Sequence, residues 1–473
     1  MPNTSSNGAA RPTGPWLDAA PWFALAVLVR AAVAARTQVP GRDAAHYLWM
    51  AERVAEGQIA GAFDTVFHPL YPLLVGALCW ASPALDTVRA GQLVSCGCAA
   101  LAILPLHALT RQLFDAHAAR AASVLYACGI WFARHPADSL SEGPFYLLVV
   151  STAAILLRAQ TARATGAAGA LAGLAYGVRP EAAALLLVGT PWLARYRGGW
   201  PAAMFAATFA ATAAVWPIGW ELLGPGFTLT PKLSFNLAIG VAGAEASRLH
   251  YVQHLLQLPG ETAEALGYVA APLAAWGAWS SLAAPNRNRA AATLLVGLFA
   301  VQIAVIPLLH SHFRFLSGYG ILMLVLAGAA WTRSVRPRLL ARPWWLAATA
   351  IVLALAGDLV RLPQTRRANR TVLVELGRWV APQLSPQSRL VTEMPRLEFF
   401  AGQRPGPPRF TRATELWRGC KSPTARYAIT VQPRTGMTDA GFRAIGFEPV
   451  VLPRGLADQA SERGIVVYRR SDQ

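Results

Sequence analysis

The chain has 473 residues, 54% of them hydrophobic and 14% charged, against roughly 25% charged in an ordinary soluble protein. Apolar stretches long enough to cross a bilayer recur from the N-terminus to about residue 360, which excludes a coiled coil, a repeat solenoid, a disordered tail, a secreted disulfide scaffold and a cytosolic enzyme. The net charge is +18, from 42 Lys and Arg against 24 Asp and Glu; much of the basic charge sits in short turns between apolar segments and reads as loops facing anionic headgroups, not as a nucleic-acid surface.

In chain order, residues 1–20 are polar and small, with no cleavable signal pattern. A span takes about 20 mostly apolar residues. Candidates fall at 17–37, 86–110, 117–134, 140–158, 167–178, 181–194, 201–221, 266–284, 290–309, 314–331 and 344–361, about eleven in all. The short pair 167–178 and 181–194 meets at Arg179-Pro180 and reads as a helical hairpin turning inside the protein. The stretch from His68-Pro69-Leu70-Tyr71-Pro72 through Ser82 is apolar but only about 15 residues long, so it reads as interfacial or re-entrant. Arginine-rich turns around 111–120, 158–163, 195–197, 287–289 and 333–342 place the N-terminus in the cytoplasm and the C-terminus outside. Arg361, Arg366, Arg367 and Arg370 run against that pattern.

Two outer loops are long, 38–85 and 222–265. In the first, Asp43 precedes a run with helical spacing at Tyr47, Met50 and Val54, and Gly57 stops it. Asp43 is a good N-cap for this helix, which would lie along the membrane surface. Tyr47, Trp49 and Tyr71 read as interface anchors, with sugar stacking the rarer alternative. The expected fold is thus an all-α polytopic membrane bundle, residues 1–361, with a small α/β soluble domain at 362–473 that is extracytoplasmic. That tail opens with an amphipathic helix at 371–380 and continues with strand-like runs at 389–392, 427–431, 449–452 and 464–468. It contains no nucleotide-binding or zinc motif, and Cys420 is its lone cysteine. Cys79, Cys96, Cys98 and Cys128 lie in apolar segments and read as packing.

Charged groups near membrane depth are costly and usually line a cavity or path. Under this topology Asp43 and His46, Asp64 and His68, Asp138 and Glu142, Arg179 and Glu181, and His310, His312 and Arg314 all fall on the outer side. Such a mouth fits a reaction centre facing outward and equally an ion-coupled transporter. The plain alternatives are a helix cap for Asp43, an N-terminal helix charge for Glu142 and a headgroup anchor for Arg179. His310 and His312 flank one serine, a spacing compatible with a divalent cation. No resident metal or cofactor is assigned, and cation dependence stays open.

Four stretches in sequence carry a resemblance: Arg42-Asp43-Ala44-Ala45-His46-Tyr47 with His68-Pro69-Leu70-Tyr71-Pro72; Ser139-Leu140-Ser141-Glu142-Gly143-Pro144; the Gly-rich run from Gly169 to Arg179-Pro180-Glu181; and His310-Ser311-His312-Phe313-Arg314-Phe315. Together they resemble the GT-C glycosyltransferases, in particular the branch of protein O-mannosyltransferases and lipid A aminoarabinose transferases. The resemblance implies transfer of a monosaccharide from a polyprenyl-phosphate donor to a glycan, lipid or protein acceptor at the outer membrane face. It implies Asp43 as general base, although position 44 is alanine where many relatives carry a second acid. For the departing lipid phosphate, Arg179 and Arg314 are the candidate clamp and Lys232 a third cation. His46, Tyr47, His68, Tyr71, Asp138, Glu142, Glu181, His310 and His312 are candidate supporting or substrate-binding residues. The absence of Asp-x-Asp fits a lipid-monophosphate donor. The alternative is a transporter or flippase of lipid-linked sugars, against which stands the lack of a convincing internal repeat. The Ala- and Arg-rich usage points to a high-GC bacterium, and so to its inner membrane.

Overall fold

The computed structural model describes residues 15–231, 247–283, 287–309, 313–337, 371–405, 416, 419–431 and 439–471. The first expected span is helix α1 (Pro15–Ala35), and the first loop carries α2 (Ala44–Ala55) and the short apolar α3 (Leu70–Ala81). Then follow α4 (Thr87–Leu101), α5 (Ile103–Leu113), α6 (Ala116–Cys128), α7 (Ile130–Ala137), α8 (Glu142–Arg158), α9 (Ala162–Val178), α10 (Ala183–Tyr196), α11 (Gly199–Ala213) and α12 (Val215–Leu223). After the second long loop come α13 (Ser247–Leu266), α14 (Ala270–Ala283), α15 (Arg287–Leu309) and α16 (Phe313–Ala330).

Among the described residues, five helical stretches are long and apolar enough to cross a membrane: Leu17–Ala35, Thr87–Leu113, Gly199–Leu223, Asn288–Val305 and Arg314–Val335. The expectation of about eleven spans is thus met in the order of helices and not in that count. α8 and α9 have 17 residues each and α10 and α14 only 14, and at 1.5 Å per residue the longest of these reaches about 25 Å. The expected span 344–361 and the domain boundary at 361/362 lie outside the described residues. Leu28, Leu187, Trp200, Leu222 and Trp279 point outward from the bundle, a surface suited to lipid.

Inside, close packing is set by small residues. Gly169, Gly173 and Gly177 repeat every four residues along α9, and a Cβ at any of them would run into Thr208, Thr212 or Trp216 on α11 and α12. That spacing lets two backbones approach as in other membrane helix pairs. α16 runs through the middle, with Leu316, Ile321, Leu322, Leu324, Val325 and Leu326 fully buried.

At one end of the bundle Asp18 in the first turn of α1 receives Arg120 at 2.8 Å and Arg111 at 3.4 Å. The start of α1 therefore sits beside the α5–α6 turn. His107 links Asp18 to Ser123, but both His107 and Ser123 are sealed from solvent, so the trio ties three helices together and offers no nucleophile.

The tail forms helix α17 (Thr371–Val380), strand β1 (Arg389–Thr392), α18 (Pro395–Phe400), β2 (Ala425–Val431), α19 (Asp439–Arg443), β3 (Phe447–Pro449), α20 (Arg454–Ser461) and β4 (Ile465–Arg470). The sheet order is β1-β2-β4-β3, with β1 parallel to β2 and the other pairs antiparallel. Val372, Leu373, Leu376 and Val380 form the buried stripe of α17. The domain is docked on the first loop: Arg396 Nε donates to the Pro40 carbonyl at 2.7 Å, Arg404 pairs with Asp64 at 3.0 Å and lies over the Trp49 ring, and Phe399 joins the apolar cluster of α2 and α3.

Candidate functional site

The site is built on a constrained turn between α7 and α8. Ser139 has φ +56°, in the left-handed region that non-glycine residues rarely adopt. The surroundings hold it there: Ser139 Oγ donates to the Val88 carbonyl, Ser95 Oγ donates to the Leu140 carbonyl, and Gly41 N donates to the Asp138 carbonyl at 2.9 Å. Gly143 abuts the Ser95 backbone so closely that a Cβ would overlap its carbonyl oxygen. Ser141 and Glu142, at the very start of α8, are thereby locked facing the centre. The bond to Gly41 also fixes the strand of loop that leads into Asp43.

Asp43 precedes α2 as expected, but its carboxylate does not cap the helix. Its backbone is already helical, at φ −71° and ψ −23°, and the side chain makes no cap hydrogen bond. It turns instead to Arg314, whose Nη1 donates to Asp43 Oδ2 at 2.7 Å. The cap reading is corrected: a tertiary ion pair has taken the group that a local bond would have used.

Arg314, in the first turn of α16, also donates through Nε to Glu142 Oε1. The same oxygen accepts from Arg179 Nη1 at 2.6 Å, and Arg179 Nη2 donates to Glu181 Oε1 at 2.9 Å. Asp43, Arg314, Glu142, Arg179 and Glu181 thus form one continuous chain of alternating charges. Arg179 is placed by the hairpin: Pro180 forces the preceding residue into extended backbone, ending α9 there with φ −153° and ψ 134°. Arg179 is buried, with Phe145 and Phe315 rings each 5.6 Å from its guanidinium carbon. Reading it as a headgroup anchor is therefore corrected. Glu142 is likewise more than a helix charge, since it holds both arginines from a position 1% exposed.

Around this chain, Tyr47 shares a hydrogen bond with Ser141 at 3.2 Å and meets Tyr71 edge-on at 5.3 Å, while Tyr71 donates to the Gly91 carbonyl at 3.0 Å. Tyr47, Trp49 and Tyr71 are buried, not interface anchors; α2 is clamped between α3, α4 and the tail, which removes the aqueous side an anchor needs. His46 stacks on Phe67 at 5.1 Å, and His68 packs edge-on against Tyr176 and Trp220 at 5.4 and 5.2 Å, in a separate aromatic cluster. Asp138 contributes its backbone to the turn described above. Lys232, His310 and His312 lie outside the described residues. Among the described residues no group of three or more His, Cys, Asp or Glu is arranged to hold a metal ion. Two contributors were not singled out from sequence: Ser141, a plain serine in the turn, and Arg396 in the tail. No local signal marks either, because both act through partners distant in the chain.

Burial pushes the His46 imidazole down to about 4, helped by Arg42 and Arg404 and opposed by Asp43. The unfolded chain takes up that proton near pH 6.5, so the unfolded state binds it first and stability falls as the pH drops from about 6.5 to 4. His46→Gln is expected to flatten this acid limb in thermal melts run across that range; an unchanged slope would show that His46 is not its source.

The architecture is similar to that of solved structures. It is similar to the crystal structure of ArnT from Cupriavidus metallidurans bound to undecaprenyl phosphate, with a TM-score of 0.64 at 14% identity over 97% of this chain and 98% of that one. It is also similar to the archaeal oligosaccharyltransferase AglB from Archaeoglobus fulgidus in complex with an inhibitory peptide and a dolichol-phosphate, with a TM-score of 0.55 at 15% identity over 87% of this chain and 69% of that one. No protein-family model and no curated protein matches the sequence. The chain thus shares its fold with these two structures.

Proposed function

We propose that the protein is a membrane glycosyltransferase that moves a monosaccharide from a polyprenyl-phosphate carrier to an acceptor, at the outer face of a bacterial inner membrane. The observation that carries this reading is the charge chain from Asp43 to Glu181, gathered at one end of a bundle whose fold is shared with an undecaprenyl-phosphate-bound enzyme. Polyprenyl phosphate and a nucleophilic acceptor make matching demands on such a site: cations for a phosphate, and a carboxylate for a proton.

In the proposed reaction an acceptor hydroxyl oxygen attacks the anomeric carbon from the face opposite the phosphate. The new C–O bond forms as the bond to the phosphate oxygen breaks, the carrier leaves with the electron pair, and Asp43 takes the hydroxyl proton. The anomeric configuration inverts. Charge building on the leaving phosphate is met by a guanidinium, whose planar fork suits phosphate oxygens. Tyr47 and Ser141, hydrogen-bonded to each other, lie beside this chain of charges, Ser141 directly preceding Glu142; in this reading apolar helix surfaces hold the isoprenoid. The acceptor is a glycan, a lipid or a protein.

The purified protein in detergent, given a panel of radiolabelled polyprenyl-phosphate sugars and cell-envelope extract as acceptor, is expected to release bare polyprenyl phosphate from at least one of them. Detergent abolishes compartments, so a transporter or flippase would show no turnover in this assay. Failure with every donor would remove the enzyme reading.

A further inference from the structure

The two guanidiniums in the charge chain are not equally available. The Arg179 side chain is 4% exposed, and it lies among two aromatic rings and two carboxylates. Arg314 is 14% exposed, and its two carboxylate partners differ sharply: Glu142 is 1% exposed and Asp43 is 24% exposed. Within these five residues two guanidiniums face three carboxylates, so that negative charge is in excess, and both guanidiniums are already engaged. An anionic phosphate entering this net-negative network is repelled by the carboxylates, and it gains most by taking the place of one of them on a guanidinium. The accessible cation is Arg314, and the partner that can yield is Asp43, because Glu142 is walled in.

We propose that Arg314 is handed from Asp43 to the donor phosphate, so that Asp43 is released to accept the acceptor's proton only when the donor is in place. This rests on the glycosyltransferase reading above and adds an order of events to it. The geometry allows the exchange with little motion. Glu142 keeps Arg314 by Nε while Asp43 holds Nη1, so only the Nη1 end changes partner. Before the exchange the Asp43 carboxylate is neutralised by the guanidinium bound at Oδ2, which makes it a weaker proton acceptor. Afterwards the same oxygen faces the acceptor. Arg179 stays with Glu142 and Glu181 and acts as a positioning residue beneath the site.

The handover makes Asp43 a competitor of the phosphate, which yields an unusual expectation. Binding of undecaprenyl phosphate to the full-length protein in detergent, followed with radiolabelled lipid, is expected to tighten about tenfold in Asp43→Asn, a typical size for coupling between two sites. Asp64→Asn removes the same charge from the same loop, where it pairs with Arg404 and not with Arg314, and is expected to bind within about twofold of the unaltered protein. Equal tightening in both variants would mean that loss of negative charge alone is felt, and would overturn the handover. Unchanged or weaker binding in Asp43→Asn would overturn it too. Asp43→Ser serves as the second variant if melts show Asp43→Asn to be unfolded. If the unaltered protein does not bind undecaprenyl phosphate, the donor reading itself falls and takes the handover with it; if it binds but Asp43→Asn binds no better, only the handover falls.

Discussion

Asp43→Asn is expected to lower sugar transfer by about 10²- to 10⁴-fold, the usual range for removing a positioned general base, while the protein still inserts and melts as before. Asparagine keeps the size of the side chain and an oxygen that can accept from Arg314 Nη1, so the packing around α2 should survive. What disappears is the group able to hold a proton. Tyr47 is hydrogen-bonded to Ser141 and its burial raises its phenol above the usual range, so it is a poor substitute base. His46, neutral above about pH 4, is buried and stacked on Phe67. The check is initial-rate release of undecaprenyl phosphate at saturating donor, alongside a thermal melt. Combined with the tighter lipid binding argued above, the variant should show a fall in both kcat and donor KM. Retention of full turnover would remove Asp43 from the mechanism.

Glu142→Gln is expected to destabilise the protein by about 3 kcal/mol, the scale for removing one partner of a buried charge pair, and to depress transfer as well. One carboxylate oxygen of Glu142 takes hydrogen bonds from both arginines in a setting closed to water. A glutamine oxygen can accept those bonds without supplying charge, so that each arginine loses one carboxylate while Asp43 still pairs with Arg314 and Glu181 with Arg179. The Nε anchor that keeps Arg314 poised between base and phosphate would be weakened. A lowered Tm together with reduced donor binding is the expected pair of results. A Tm unchanged from that of the parent protein would show that Glu142 is not the structural pivot.

The relation between these two residues shows what a linear reading can reach. Asp43 is recognisable as a helix-start acid, and Glu142 as an acid at the head of an apolar run; each has a bland local explanation. The structure rejects the local explanation for Asp43 because an arginine 271 residues away offers its carboxylate a stronger partner than a backbone N–H does. Tyr47 and Tyr71 illustrate the same limit. Amphipathic rings near a membrane boundary suit the interface, yet here the docked tail and α3 exclude water from them.

Hydrophobic patterning by itself determined the helical bundle, the hairpin at Arg179-Pro180, the amphipathic α17 and most strand positions in the tail, because these follow from periodicity and from backbone rules acting over a few residues. The residue types at the site, three acids and two arginines at helix ends, were legible for the same reason: ionisable groups are conspicuous in apolar sequence. Only the tertiary structure decided which acid pairs with which arginine, which arginine is sealed and which is accessible, and that the tail rests on the loop carrying Asp43. Those choices turn on burial and on contacts spanning 37 to 356 residues of chain. Coulomb attraction and desolvation depend on distance in space, which no local pattern in the chain encodes.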